Sequence, residues 1–362
     1  MYSETDIEAA IASGAISPQA AAALRASVAS SRATPLVDEE SFRLITGFND
    51  IFVTIAAVLL LVAVGWIGAS LVPAPRDAEQ LGLHMGGSVG VGGFLVAGAS
   101  WALAEYFTRH RRMALPSIVL LASFVYGVAA GQFGLLVMAL GAVEGRTVPL
   151  IVAFIGLTTA FAAYVHWRRF HVPITVAALT GALVVTLLAL LLSAVPRAGD
   201  SFLGLMLLAG IGVFAFAMWW DISDRQRLTR RSDVAFWLHL AAAPMIAHPI
   251  FWLLGVTAGT AGPATALLVL GLYVVFGIVA LAVDRRALLV SSLVYVLWSL
   301  SALFRQAGAV GLDMAFTALV IGSLLLLLSA FWHNARRLVV KRLPDEVRRR
   351  LPELDRPATA KT

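Results

Sequence analysis

The chain has 362 residues, of which 60% are hydrophobic and 13% charged, with a formal net charge of +6. A soluble domain is about 45–50% apolar and about 25% charged, so this chain has too few charges to coat a water-soluble fold, and intrinsic disorder is excluded on the same ground. The absence of cysteine excludes a disulfide framework, an iron–sulfur cluster and cysteine-ligated zinc.

At the N-terminus, Glu4, Asp6 and Glu8 stand where a signal peptide would carry basic residues. The first apolar span is therefore expected to act as its own membrane signal. Residues 4–31 predict a small helical hairpin. Thr5 and Glu8 fit a capping box, Gly14 a helix stop, and Ser17-Pro18 an N-cap followed by proline at the first helical position. Ser31 to Glu40 reads as a polar linker. The stretch Ile11-Ala12-Ser13-Gly14-Ala15-Ile16-Ser17-Pro18-Gln19-Ala20, followed by that linker and many apolar spans, resembles the start of a family of bacterial membrane proteins of unknown function. Members of that family begin with a cytosolic hairpin of Gly-x-Ile-Ser/Thr-Pro type. The resemblance covers about the first 30 residues and the general layout. It implies a bacterial inner-membrane location and supplies no catalytic or binding residues.

Ten apolar runs follow, at about 51–72, 82–107, 114–140, 148–167, 172–195, 201–220, 234–256, 263–283, 287–304 and 313–332. Each is long enough for a helix to cross about 30 Å of hydrocarbon, and the alternating segments of about ten residues that mark a strand barrel are missing. The expected fold is an all-α, polytopic transmembrane bundle. Arg and Lys test the count, because they concentrate on the cytoplasmic side. The N-terminal segment, the loops after even-numbered spans and the C-terminal tail hold 23 of the 27 basic residues. Both termini are therefore expected in the cytoplasm. Domain boundaries follow: a hairpin and linker over 1–50, a ten-span membrane domain over 51–332, and a basic tail over 333–362.

Ionisable groups deep in a bilayer are costly and point to function. The spans hold almost none, which argues against a proton pump or a carboxylate-coupled sodium carrier. Glu105 sits four residues before Arg109, as a boundary ion pair would; Asp284 abuts Arg285; Asp313 is placed to cap span 10. In span 2, Gly90-Val91-Gly92-Gly93 lacks the strand and soluble helix of a phosphate loop, and Gly82, Gly86 and Gly90 recur every four residues as a packing face.

Span 7 holds the strongest leads. His239 and His248 lie roughly 9 Å and 22 Å from Asp233 along a helix, on opposite faces. Pro244 and Pro249 each remove a backbone donor and are expected to bend or unwind the helix, which would bring the histidines nearer and line a solute path. The plainer alternative is that each histidine donates to a carbonyl on a neighbouring helix. Gln132, in the glycine-dense stretch 127–134 of span 3, reads either as part of the same path or as an interhelical hydrogen bond. No third ligand for a metal is evident, and no cofactor is expected.

In the tail, Leu343, Val347 and Leu351 form a stripe flanked by Arg348, Arg349 and Arg350. This predicts an interfacial helix on anionic lipid, with no nucleic acid as partner. A protein partner is the expectation for the N-terminal hairpin. Hydrolase, transferase and nucleotide-binding signatures are missing, so an enzyme is not expected. Two functions remain. One is a small-solute carrier or permease, whose halves 51–195 and 201–332 would match in layout the ten-span drug/metabolite exporters. The other is a non-transporting scaffold, assembly factor or sensor acting through its cytosolic ends.

Overall fold

The computed structural model describes residues 7, 10–24, 48–75, 77–141, 144–195, 198–225, 227, 229–255, 263–306 and 311–354. The proposed capping pair Thr5 and Glu8 and the linker 31–40 lie outside the described residues. The chain divides into a small unit that includes residues 10–24 and a membrane unit that ends at Leu354. In the small unit a helix stops at Gly14, whose φ of +74° suits glycine, and the Ala15 N–H donates to the Ala10 carbonyl over 2.9 Å. The next helix is capped by Ser17, whose Oγ accepts from the Ala20 N–H over 3.1 Å.

The membrane unit is all-α among the described residues. Its spans are α1 (Phe48–Ser70), α2 (Ala78–Ala104), α3 (Ala114–Leu140), α4 (Thr147–Phe170), α5 (Ile174–Ala194), α6 (Phe202–Ser223), α7 (Arg230–Leu253), α8 (Pro263–Val283), α9 (Ala287–Gln306) and α10 (Asp313–Ala330). Among the described residues ten helices are long and apolar enough to cross a membrane, and the protein is an integral, multi-pass membrane protein. Large apolar side chains such as Phe52, Leu59 and Trp66 on α1 and Leu324 and Leu326 on α10 are more than half exposed. That arrangement is stable only with hydrocarbon as the solvent.

Two boundaries differ from the sequence expectation in ways that matter. The apolar run that ends at residue 220 continues as helix to Ser223, which takes Asp221 inside α6. Span 10 stops at Ala330, and two further helices follow, α11 (Trp332–Lys341) and α12 (Asp345–Arg348).

The two halves are held together differently. In the first half, α2 packs on α3 through glycines rather than side chains. A Cβ added at Gly134 would lie 2.2 Å from the Gly90 amide nitrogen, and one at Gly93 would lie 2.5 Å from that of Gly131. With no side chains between them, the backbones come into direct contact. Gly86 and Gly90 belong to this seam, Gly93 continues it, and Gly82 lies outside it with open space around its Cα. The glycine-dense stretch of α3 is therefore a packing surface and remains helical. In the second half α7 is the central helix. It packs against α6, α9 and α5, and Val234, Leu238, Ala242, Ala243 and Ala247 are fully enclosed. Half of its most apolar stretch is buried, the largest share among the ten spans.

The seam makes a direct prediction. Gly134→Ala should lower the thermal stability of the detergent-purified protein by about 1–3 kcal/mol, as overpacking does. Gly98→Ala, where nothing lies within 4 Å of the added Cβ, should leave the melting temperature unchanged or raised.

Candidate functional site

α7 is a continuous helix from Arg230 to Leu253 with Pro244 and Pro249 inside it. The expected unwinding at these prolines is not found. Each proline removes one hydrogen bond, but α6 braces the helix between them: a Cβ on Gly210 would lie 2.9 Å from the Met245 Cβ. The two histidines therefore keep the opposite faces that their nine-residue spacing dictates, and they bond to different helices. His248 Nδ1 lies 2.6 Å from the Tyr295 hydroxyl of α9. His239 Nε2 lies 2.9 Å from Asp221 Oδ2 of α6. Gln132 is far from both in the fold's order: its Nε2 donates to the Val128 carbonyl over 3.1 Å, and its Oε1 accepts from the Thr158 hydroxyl of α4. The five sequence leads thus do not converge. The plainer expectation for Gln132 holds, and the histidines find side chains in place of backbone carbonyls.

What the sequence did not indicate is where His239 points. Asp221 is 1% exposed and accepts from two sides. Opposite His239, Arg285 Nη2 lies 2.6 Å from Asp221 Oδ1, and the same nitrogen donates to the Ser232 carbonyl over 2.9 Å. Arg285 comes from the turn between α8 and α9. Its neighbour Asp284 has φ +60°, a left-handed conformation that aspartate tolerates better than most residues. This turn sends the two adjacent side chains to different partners. Asp284 Oδ2 accepts from Arg227 Nη1 over 2.8 Å, and its Oδ1 accepts from the Trp332 indole N–H over 2.7 Å. Arg336 Nε lies 3.6 Å from the same Oδ1. The ion pair that chain adjacency suggested for Asp284 and Arg285 is replaced by two separate ones.

These groups form one buried cluster of two carboxylates and three guanidiniums, with His239 beside it. All lie at the end of the bundle where α6 and α8 finish and α7 and α9 begin. The C-terminal helices complete it. Arg336, 1% exposed, donates to the carbonyls of Pro352 (2.8 Å) and Glu353 (3.2 Å), while Arg225 Nε donates to the Leu351 carbonyl over 3.0 Å. Leu351 packs with Val283 and Val340 and is 4% exposed. The apolar stripe expected to meet lipid is therefore split: Leu351 faces the bundle, and Val347 is exposed. α12 is a single turn of four residues.

Burial raises the Asp284 carboxyl, but Arg227, Arg336 and the Trp332 indole together outweigh it, so it lies below the usual aspartate value. Burial and the neighbouring Arg285 push the Arg227 guanidinium down to about 10, which still leaves it protonated at neutral pH. The remaining boundary acids also bridge helices. Glu105 accepts from Arg109 (3.3 Å) and from Arg169 of α4 (2.7 Å). Asp313 accepts from Ser301 (2.5 Å) and Arg305 (2.9 Å), tying the start of α10 to α9. In the first half, His166 of α4 is 1% exposed among the rings of Trp101, Phe124 and Phe170, with neither ring nitrogen bonded within the chain.

Among the described residues no group of three or more His, Asp or Glu could hold a metal ion. Comparison with family models, with curated proteins and with solved structures finds no match to this chain.

A carboxylate with a depressed folded value stabilises the fold above its unfolded value, and that contribution is lost as pH falls through the folded one. Asp284→Asn should therefore cost roughly 3–5 kcal/mol at neutral pH, because it leaves Arg227 and Arg336 without a counter-charge. The gap between parent and variant should be constant above about pH 5 and should narrow only as pH falls below the ordinary aspartate value of about 4 toward the lower value of the folded Asp284 carboxyl. Melting curves of both proteins across that range test this.

Proposed function

We propose that this multi-pass membrane protein is a small-solute carrier or permease in which α7 lines the solute path. One observation carries the reading: the most enclosed of the ten spans is also the one holding two histidines and two internal prolines. Each proline leaves a carbonyl without its helical donor, and such groups are tolerated in a membrane only against protein or a wet path. His239 and His248 present polar groups on both faces of the same helix, toward α6 and α9. The solute is neutral or amphipathic on this reading, since no net charge lines α7 beyond the ionic cluster at its end.

By the positive-inside rule the arginine-rich end faces the cytoplasm, as do both termini; the family resemblance puts the protein in a bacterial inner membrane. The protein performs no covalent chemistry on this view. Arg348, Arg349 and Arg350 lie near anionic headgroups, and the N-terminal hairpin engages a protein partner. A second reading, a non-transporting scaffold or sensor, draws on a specific observation: Gln132, His239 and His248 each have a partner within the chain.

A thermal-shift screen of the purified protein against a broad solute panel separates the two. A solute at about 100 times its dissociation constant should stabilise the fold by roughly 2.7 kcal/mol, and His248→Ala should abolish the shift. A shift retained in the variant would move the path away from α7. No shift across the panel would favour the scaffold.

A further inference from the structure

Asp221 is held by two donors that differ in kind. Arg285 is a permanent cation on the α8–α9 turn, a segment of the chain separate from α6 and α7. His239 is a titratable group on α7, locked at Nε2 by the carboxylate, which fixes the neutral tautomer with its proton on that nitrogen. Its other nitrogen, Nδ1, is buried with no partner in the chain. The charged groups around the imidazole are Asp221 from α6, Arg285 from the α8–α9 turn and Arg227 from the α6–α7 loop. α5 contributes Val176 and Ala177 to the same packing layer, and the ring of Phe214 meets the imidazole edge-on at 4.9 Å.

In the closed arrangement the cluster holds Asp221 and Asp284 against Arg227, Arg285 and Arg336, an excess of one positive charge before His239 is counted. A proton on Nδ1 would add a second excess charge with no acceptor. If the α8–α9 turn withdraws Arg285 the excess falls to zero, and the two guanidiniums that remain, Arg227 and Arg336, both sit on Asp284. Asp221 is then a buried carboxylate without a cation, which is strongly unfavourable, and the only titratable group bonded to it is His239.

We infer that Asp221 and His239 form a proton-binding site whose occupancy alternates with Arg285. When Arg285 leaves, Nδ1 takes one proton from hydronium, leaving water, and the imidazolium supplies the positive charge that Asp221 has lost. When Arg285 returns, the same proton leaves as water-borne hydronium. One N–H bond forms and breaks, and nothing is oxidised or reduced. This deepens the carrier reading, on which it rests for the use of the proton, by naming the proton as coupling ion. The scarcity of acids in the sequence had pointed away from that. The exchange itself belongs to the cluster whatever the protein moves.

The test follows His239 in full-length, histidine-labelled protein in lipid bilayers by nitrogen NMR, with proton uptake counted in parallel. The parent should keep His239 neutral, protonated at Nε2, across the range in which a free histidine, with its midpoint at about 6.5, takes up its proton. Arg285→Gln should bind one additional proton per chain over that range, seen as imidazolium at His239 and lost in the Arg285→Gln/His239→Gln pair. Adding Asp221→Asn to Arg285→Gln should also abolish it, since no charge remains to compensate. A parent His239 that titrates like a free histidine overturns the inference without any variant, as does a folded Arg285→Gln protein whose His239 stays neutral. Intact proton exchange with no solute movement in proteoliposomes would overturn the carrier reading and leave this site standing.

Discussion

A carboxylate cannot be left alone in a low-dielectric bundle, and the arginine-rich end of the membrane unit is organised around that constraint. Asp221 and Asp284 are both nearly inaccessible, and between them they draw in three arginines, a histidine, an indole and the C-terminal segment. The left-handed turn at Asp284 makes this possible. It lets two residues adjacent in sequence face apart, so that Asp284 and Arg285 each serve a different half of the cluster. α6, α7, the α8–α9 turn and α11 are thereby fixed to one another by charge as well as by packing. A buried ion pair of this kind is weak evidence for net stability, because well-packed apolar groups often do as well.

The first half contrasts with this. Its closest contact, α2 on α3, is built from glycines whose backbones touch, and its cross-helix ion pair, Glu105 with Arg169, sits in a partly exposed position. Between helices in lipid the hydrophobic effect offers little, so close backbone approach is what holds such a seam together. One half is thus held by backbone contact that leaves no room for a side chain, and the other by buried charge pairs.

The spans were legible because hydrocarbon thickness fixes the length of apolar run that can cross it, and the alternation of arginines fixed their number. The hairpin was legible in part: Gly14 and Ser17 act locally, through bonds three to five residues long. The cluster was not. Asp221 follows two tryptophans at the edge of an apolar run and reads as the first loop residue, whereas the helix carries it inward. Its partner Arg285 lies 64 positions later, beside a carboxylate that looks like its natural mate. In span 7 the histidine spacing is legible and the partners are not: His239 is buried against Asp221, and His248 is half-buried against Tyr295. Proline removes one hydrogen bond, and a helix braced by a neighbour at that level absorbs the loss without opening.

The tail is held by contacts that no local pattern in its sequence announces. A basic stripe beside leucines is the pattern of a helix on lipid, and nothing local distinguishes it from a segment folded back on its own bundle. The difference lies in Trp332 and Arg336. They are one helical turn apart on α11, so they face the same way, and both reach Asp284. Arg336 then uses its remaining donors on the carbonyls of Pro352 and Glu353, which draws the following chain against α6 and α8 and buries Leu351. The side chains left for the surface are Arg348, Arg349 and Arg350. The segment up to Leu354 is thus a structural part of the membrane unit, and any event that alters the charge around Asp284 must also alter the seating of the tail.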